Sequence, residues 1–218
     1  MKQGEKNFCT LYLVRHGETG WNKTGIVMGQ SDSPLTKVGV EQVKTTAQEL
    51  KSVHFDAIFS SDLHRAYRTA EIIKLERELV IQTSKALRER TFGSWEGKLS
   101  EDYRKNFQHL FEKIKELSEE EQKKFRFADD IENDEQVISR FITQLREIPV
   151  AYPKKTVLVV THGGCIRTFL MHIGYVKYGE LPGGSFSNAG YAKIASDGID
   201  FFVKEVKGIK KQGYNLAT

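Results

Sequence analysis

Thr156-Val157-Leu158-Val159-Val160-Thr161-His162-Gly163-Gly164 is the stretch on which the fold turns. Its first six residues are mostly β-branched and apolar on both alternating faces. That pattern fits a strand covered on both sides, as in a parallel sheet flanked by helices. His162-Gly163-Gly164 ends the strand as a loop, and a helix follows to about His172. The same strand-loop-helix unit can be read elsewhere. Phe8 to Val14 is a short buried strand that ends at Arg15-His16-Gly17. Ser33-Pro34-Leu35-Thr36 introduces a helix through about Lys51, with Thr36 as its cap and Val40, Val43, Ala47 and Leu50 at helical spacing. Phe55 to Phe59 is a second strand. Ser60-Ser61-Asp62 follows it, with Asp62 expected to cap a helix from about Leu63 to Leu75.

Working outward, Leu79 to Gln82 reads as a short edge strand and Arg88 to Gly97 as a loop. Ser100 to about Phe125 is charged and helical in period. Asp134 to about Glu147 is a helix that Pro149 should close. Tyr191 to Ala195 and Phe201 to Val206 flank Ser196-Asp197-Gly198 as a hairpin. Gly208 to Thr218 reads either as a tail or as a segment reaching over the site. The alternation predicts an α/β fold, a three-layer α/β/α sandwich with a mainly parallel sheet. We read residues 1–218 as one domain, with a helical insert at about 100–147 covering one face. In such sheets ligands bind beyond the carboxyl ends of the strands. Arg15-His16, Ser61 to Arg65 and His162-Gly163 all follow predicted strands, so three distant clusters should converge on one sheet edge.

Composition excludes several classes of function. The 33 basic and 29 acidic groups leave a formal charge of only +4, too mild for nucleic acid as the main partner. The segment Met1 to Lys6 lacks the apolar run of a signal peptide, and no stretch is long enough to span a bilayer. A cytoplasmic protein without a membrane partner is expected. Cys9 and Cys165 are far apart and match no metal-ligand or disulfide framework, which fits a reducing compartment. Without a secretion signal, the sequon Asn22-Lys23-Thr24 reads as chance.

Within the three clusters the residue types suit a phosphate. Arg15 offers a charged fork that matches phosphate oxygens. Its charge disfavours an imidazolium at His16 and keeps a nucleophilic lone pair available. Gly17 lets backbone approach a ligand closely. Arg65 would sit in the first turn of its helix, where an anion is already favoured. His162 can donate to a transferring group, and the N–H groups of Gly163 and Gly164 at a helix start can add to the anion site. Taken singly, each has a plainer reading: a solvated turn for His16, a surface arginine for Arg65, a backbone-bonded core histidine for His162. Arg68, one turn on, suits the surface role better.

Together these motifs resemble the histidine phosphatase superfamily, also called the phosphoglycerate mutase-like family. The resemblance covers nearly the whole chain, in order. It is carried by Arg15-His16-Gly17, by Ser60-Ser61-Asp62-Leu63-His64-Arg65-Ala66, by Leu87 to Gly97 and by His162-Gly163-Gly164. Trp21-Asn22 and Asp32-Ser33-Pro34-Leu35-Thr36 match further segments of the pattern. The resemblance implies a phosphoglycerate mutase-like fold and a metal-independent, cofactor-free phosphatase acting on a small phosphorylated metabolite, a sugar phosphate among the candidates. It implies that His16 is the nucleophile and becomes a phosphohistidine. It places the proton donor on Glu89, with Glu96 a rival in the same loop and ion pairing with Arg88 or Arg90 the plainer role for Glu89. Arg15, Asn22, Arg65, His162 and Gly163 would hold the phosphate. The negative charge of the arriving phosphate favours a protonated Glu89.

The mutase reading is the alternative. Mutases resembling this chain carry a Lys where Ser100 stands and an Arg pair in the insert, where Asn106 to Phe111 has none. Ser94-Trp95-Glu96-Gly97 is similar to the phosphatase branch. Many relatives have a Gly-Glu-Ser motif overhanging the site, and here Ile131-Glu132-Asn133 stands in its place. Tyr103, Arg104, Phe107 and Phe111 could select a leaving group, although packing on the domain is the expected role of the phenylalanines. A non-catalytic phosphate-binding module is a third reading, disfavoured because both His16 and Glu89 are present. The oligomeric state is not legible.

Overall fold

The computed structural model describes residues 7–74 and 77–209. Its strands are β1 (Cys9–Arg15), β2 (Ala57–Ser61), β3 (Ile81–Ser84), β4 (Thr156–Thr161), β5 (Phe186–Ser196) and β6 (Phe201–Ile209). Its helices are α1 (Gly20–Thr24), α2 (Lys37–Glu49), α3 (His64–Lys74), α4 (Ser100–Asn106), α5 (Gln108–Lys115), α6 (Glu119–Lys124), α7 (Asp134–Ala151) and α8 (Gly163–His172). The strands form one sheet in the order β3-β2-β4-β1-β5-β6. The first four are parallel, and β5 and β6 add an antiparallel edge. The mainly parallel α/β fold expected from the sequence is therefore present.

The continuous apolar runs of β1 and β4 are explained by what lies on each face. Leu11, Leu13, Val157 and Val159 point into a core with Val137, Phe141 and Leu145 of α7 and Ile166, Phe169 and Leu170 of α8. Tyr12, Val14, Leu158 and Val160 point the other way, onto Val43 and Ala47 of α2 and Ala66, Ala70 and Ile73 of α3. With helices on both faces neither set of side chains meets water. Each large aliphatic buried here contributes about 1.5–3 kcal/mol. Helices α4 and α5 belong to a separate aromatic cluster around Tyr103, Phe107, Phe127 and Trp95.

Three local expectations are corrected. Asp62 does not cap α3, because both of its oxygens are held by Arg88, at 2.7 and 2.6 Å. Asp32, from a distant loop, accepts the His64 and Arg65 N–H groups instead. Pro149 lies inside α7 rather than closing it. It falls in the last turn, forfeits one backbone bond, and its ring is buried, so the helix runs on to Ala151. Strand β5 begins at Phe186, five residues before the expected Tyr191, because the polar run Ser187-Asn188-Ala189-Gly190 continues the strand through an irregularity in its pairing with β6. Thr36 does cap α2, accepting the Gly39 N–H at 2.9 Å. Leu75, the expected end of the third helix, and residues 210–218 of the expected tail lie outside the described residues.

Helix α2 is pressed against the loop after β1. A Cβ on Gly39 would stand 2.0 Å from the Glu18 carbonyl oxygen. Gly39→Ala should therefore lower stability by about 1–3 kcal/mol through overpacking. Urea unfolding should show this beside Val38→Ala, at an exposed neighbouring position, which should change stability by less than about 0.5 kcal/mol.

Candidate active site

The pairing of β1 with β4 builds the centre of the site. Arg15 lies opposite Thr161, and the His16 N–H donates to the Thr161 carbonyl at 3.1 Å. The next residue of each strand, His16 and His162, therefore leaves the sheet at the same level. Their ring centroids are 5.2 Å apart. Both side chains are buried. The Nδ1 of His16 lies 2.8 Å from the Gly17 carbonyl oxygen. A carbonyl can only accept, so Nδ1 carries the proton and Nε2 holds the lone pair.

Arg65 is not a surface arginine. Its side chain is 1% exposed. Its Nη1 donates to the Ser31 carbonyl at 2.6 Å and to Asp32 at 3.1 Å, and its Nη2 donates to the Gly29 carbonyl at 2.6 Å. The surface role falls to Arg68, which is exposed and pairs with Glu71. Arg15 donates through Nη1 to the Phe186 carbonyl. Gly163 is needed for this placement, because a Cβ there would lie 2.9 Å from Arg15 Nε. Gly17 also has a packing reason. A Cβ on it would meet the Gly39 carbonyl oxygen of α2 at 2.6 Å.

Among the described residues, buried side-chain nitrogens without a protein partner are concentrated here: Arg15 Nε, Arg65 Nε and both ring nitrogens of His162. Buried polar groups are ordinarily satisfied, so such a group of orphans marks a place for a polar ligand. Charge works in the same direction. Burial holds the His16 pKa well below the ordinary imidazole value, and Arg65 and Arg15 push it further down. Burial does the same to His162, followed by Arg65 and His16. Burial brings the Arg15 pKa down to about 10, with Glu89 opposing, so the guanidinium stays charged at neutrality. The site thus holds two fixed cations and two neutral imidazoles.

Glu89 lies beside this group. Its Oε2 accepts the Gly164 N–H at 2.9 Å and its Oε1 accepts the Arg90 N–H at the same distance. A Cβ on Gly164 would stand 2.3 Å from Oε1. The plainer role, an ion pair with a neighbour, is not taken up: Arg88 is bound to Asp62 and Arg90 to Asp134. Glu96, the rival acid, is a loop clamp. It accepts from Gln30 N, Phe92 N, Ser31 N and the hydroxyls of Ser31 and Thr91. Burial pushes its pKa upward, but these bonds hold it below the ordinary carboxylate value. Asn22 completes the capping box with Thr19 at the start of α1, and its Oδ1 accepts from Thr19 N and Asn188 Nδ2.

A cleft of about 190 Å³ opens beside these groups, lined by Arg15, Glu89, Arg90, Gly163, Arg167 and Phe186, among others. A wider, shallower groove of about 450 Å³ lies near His172, at the far end of α8, and includes none of the converging groups. Asn188 and Phe186 were missed by sequence reasoning. Asn188 Nδ2 donates to the His16 carbonyl at 3.2 Å, and the Ala189 N–H donates to the same oxygen. The run Phe186-Ser187-Asn188-Ala189-Gly190 carried no signal beyond turn-like composition. Among the described residues no group of three His, Cys, Asp or Glu could hold a metal ion, and no helix is long and apolar enough to cross a membrane.

The strand ends of this α/β sheet thus gather two guanidiniums, two imidazoles and a carboxylate. The chain belongs to the histidine phosphatase superfamily, whose branch 1 model matches residues 11–207. It is similar to a Bacillus subtilis (strain 168) protein named uncharacterized phosphatase PhoE, 34% identical over 162 residues, which cover 74% of this chain and 75% of that one. It is also similar to GpmB of Proteus mirabilis (strain HI4320), named a probable phosphoglycerate mutase. That match is 48% identical over 83 residues, covering 38% of this chain and 39% of the relative. The solved structure of Bacillus stearothermophilus YhfR superposes with a TM-score of 0.80 at 31% identity, covering 93% of this chain and 98% of that one. These likenesses make the chain a phosphatase-type enzyme with a phosphoglycerate mutase-like fold.

The depressed imidazoles set a pH dependence for stability. Unfolded histidine takes up a proton below about pH 6.5, whereas folded His16 and His162 refuse it. Stability should therefore fall as pH drops through that value, by up to about 1.4 kcal/mol per pH unit for each histidine. Urea unfolding of wild type and His16→Ala between pH 8 and 5 should show a shallower slope in the variant. Equal slopes would mean that His16 titrates normally in the folded chain.

Proposed function

We propose that this chain is a phosphomonoester hydrolase that passes the phosphoryl group through His16 to water. The supporting observation is the convergence of unpartnered Arg15 Nε, Arg65 Nε and the His162 nitrogens beside a neutral His16 whose Nε2 carries the lone pair. In the first step Nε2 attacks phosphorus and the bond to the ester oxygen breaks. Glu89 gives its proton to the leaving alkoxide. In the second step Glu89 takes a proton from water, the water oxygen attacks phosphorus, and the bond from phosphorus to Nε2 breaks. Phosphate leaves and His16 is restored.

Arg15, Arg65, His162, the N–H of Gly163 and the amide donor of Asn22 hold the phosphoryl oxygens throughout. Positioning and charge do most of the work in such transfers. The two guanidiniums supply the positive charge, so the reaction as written uses no metal or cofactor. The substrate is a small phosphorylated metabolite, with sugar phosphates among the candidates, in keeping with a cleft of about 190 Å³. That is below the roughly 300 Å³ at which pockets for drug-sized ligands begin.

Hydrolysis is favoured over mutase action by Ser100 standing where a mutase Lys is expected and by an insert without an Arg pair. Phe107 and Phe111 pack into the aromatic cluster rather than offering a ligand surface. The phosphatase relative also matches a larger share of the chain than the mutase relative does.

His16→Ala should reduce p-nitrophenyl phosphate turnover by at least about 10⁴-fold, as expected for loss of a nucleophile. Wild type mixed with labelled substrate and quenched in alkaline denaturant should carry an acid-labile label on His16. Turnover should be indifferent to EDTA, and 3-phosphoglycerate should yield inorganic phosphate rather than its isomer. Near-normal turnover by His16→Ala would sink the proposal.

A further inference from the structure

Arg140, on α7, uses every N–H of its guanidinium. Its Nη1 donates to the carbonyls of Ala86 at 3.0 Å and Arg88 at 2.6 Å. Its Nη2 donates to the Glu89 carbonyl at 3.0 Å and to Glu132 Oε2 at 2.9 Å. Its Nε donates to Glu132 Oε1 at 2.9 Å. An arginine has five such donors, fixed in one plane. Three of the five are spent on the backbone that leads into and includes Glu89, and two on a carboxylate that locks the fork.

Glu132 extends the brace past Glu89. Its Oε2 also accepts the Thr91 N–H at 3.0 Å, and its backbone N–H reaches the Thr91 carbonyl at 3.2 Å. The side chain that the resemblance would set overhanging the site is instead turned to Arg140. Neither residue lines the cleft beside the paired imidazoles. The peptide carrying Glu89 is thus gripped from residue 86 to residue 91 by one ion pair that lies behind it.

We infer that Arg140, locked by Glu132, is a positioning residue for the proton donor. It fixes the backbone of Glu89 so that the carboxyl, held in turn by the Gly164 and Arg90 N–H groups, stands at the leaving oxygen. This rests on the proposed role of Glu89. A displacement of about 1 Å in such a group can cost about 100-fold in rate. The loss must depend on how much the leaving group needs a proton. Phenolate needs one far more than p-nitrophenolate, and the two esters are close in shape.

The experiment is kcat/KM for phenyl phosphate and p-nitrophenyl phosphate with wild type, Arg140→Gln, Arg140→Lys and Glu132→Gln. Because kcat/KM reports steps through formation of the phosphoenzyme, it isolates the proton donation. Arg140→Gln should lose about 10- to 100-fold on phenyl phosphate and less than about threefold on p-nitrophenyl phosphate. Arg140→Lys, with charge but no planar fork, should fall between wild type and Arg140→Gln on phenyl phosphate. Glu132→Gln should show the same selectivity in weaker form, and it tests the brace should Arg140→Gln fail to fold. Equal losses on the two esters, or none on either, would overturn the inference. A wild type that binds inorganic phosphate but hydrolyses neither ester would instead overturn the hydrolase reading, and this role with it.

Discussion

The structure depends on the lateral pairing of two parallel strands. With Arg15 opposite Thr161, the register of β1 and β4 delivers two histidines to one point, although 145 positions lie between His16 and His162. A shift by one residue would move each side chain to the other face of the sheet. The buried alternation of Leu11, Leu13, Val157 and Val159 against one helix layer, and of Tyr12, Val14, Leu158 and Val160 against the other, forbids that shift. The hydrophobic core and the chemistry at the strand ends are therefore consequences of one register. The glycines after the strands complete it. Gly17 admits the backbone of α2, and Gly163 admits the shaft of Arg15.

Burying two guanidiniums beside two imidazoles has a cost, and the sequence shows how it is met. Arg65 is surrounded by the carbonyls of Gly29 and Ser31 and by Asp32, so its charge is solvated by protein dipoles in place of water. Burial lowers its pKa while Asp32 and Glu89 oppose that shift. The imidazoles respond by staying neutral. That is a structural penalty at low pH, and at neutrality it leaves the lone pair that the proposed mechanism needs on His16. Asp32 serves twice, since it also accepts the first N–H groups of α3 and so couples the start of that helix to the arginine it carries.

Much of this was legible in the chain. The strands, the mainly parallel sheet and the placing of three polar clusters at strand ends follow from periodicity and glycine alone. Contacts fixed by tertiary structure were not legible. Local position points to Asp62 as the cap of α3, and nothing local reveals that Arg88 claims both of its oxygens and leaves the role to Asp32. The sequence pattern assigns no element to the stretch before Tyr191 in which Asn188 sits, and the irregular pairing of β5 with β6 brings it to the His16 carbonyl. Pro149 is a strong breaker in sequence terms, but its position in the last turn of α7 and its burial outweigh the single bond it removes.

The same contacts bear on which carboxyl can serve as an acid. Asp32, Asp62, Glu132 and Asp134 are each tied to a guanidinium, of Arg65, Arg88, Arg140 and Arg90 in turn. Glu96 is surrounded by backbone and hydroxyl donors. A carboxylate held by charged or multiple donors keeps its negative form and gives up little proton chemistry. Glu89 differs from all five: among the described residues it makes no ion pair, and one backbone N–H reaches each of its oxygens. It stands in the loop that borders the paired imidazoles. On the proposed mechanism, the proton donor is therefore the carboxyl of this group that neither an arginine nor a cluster of donors holds.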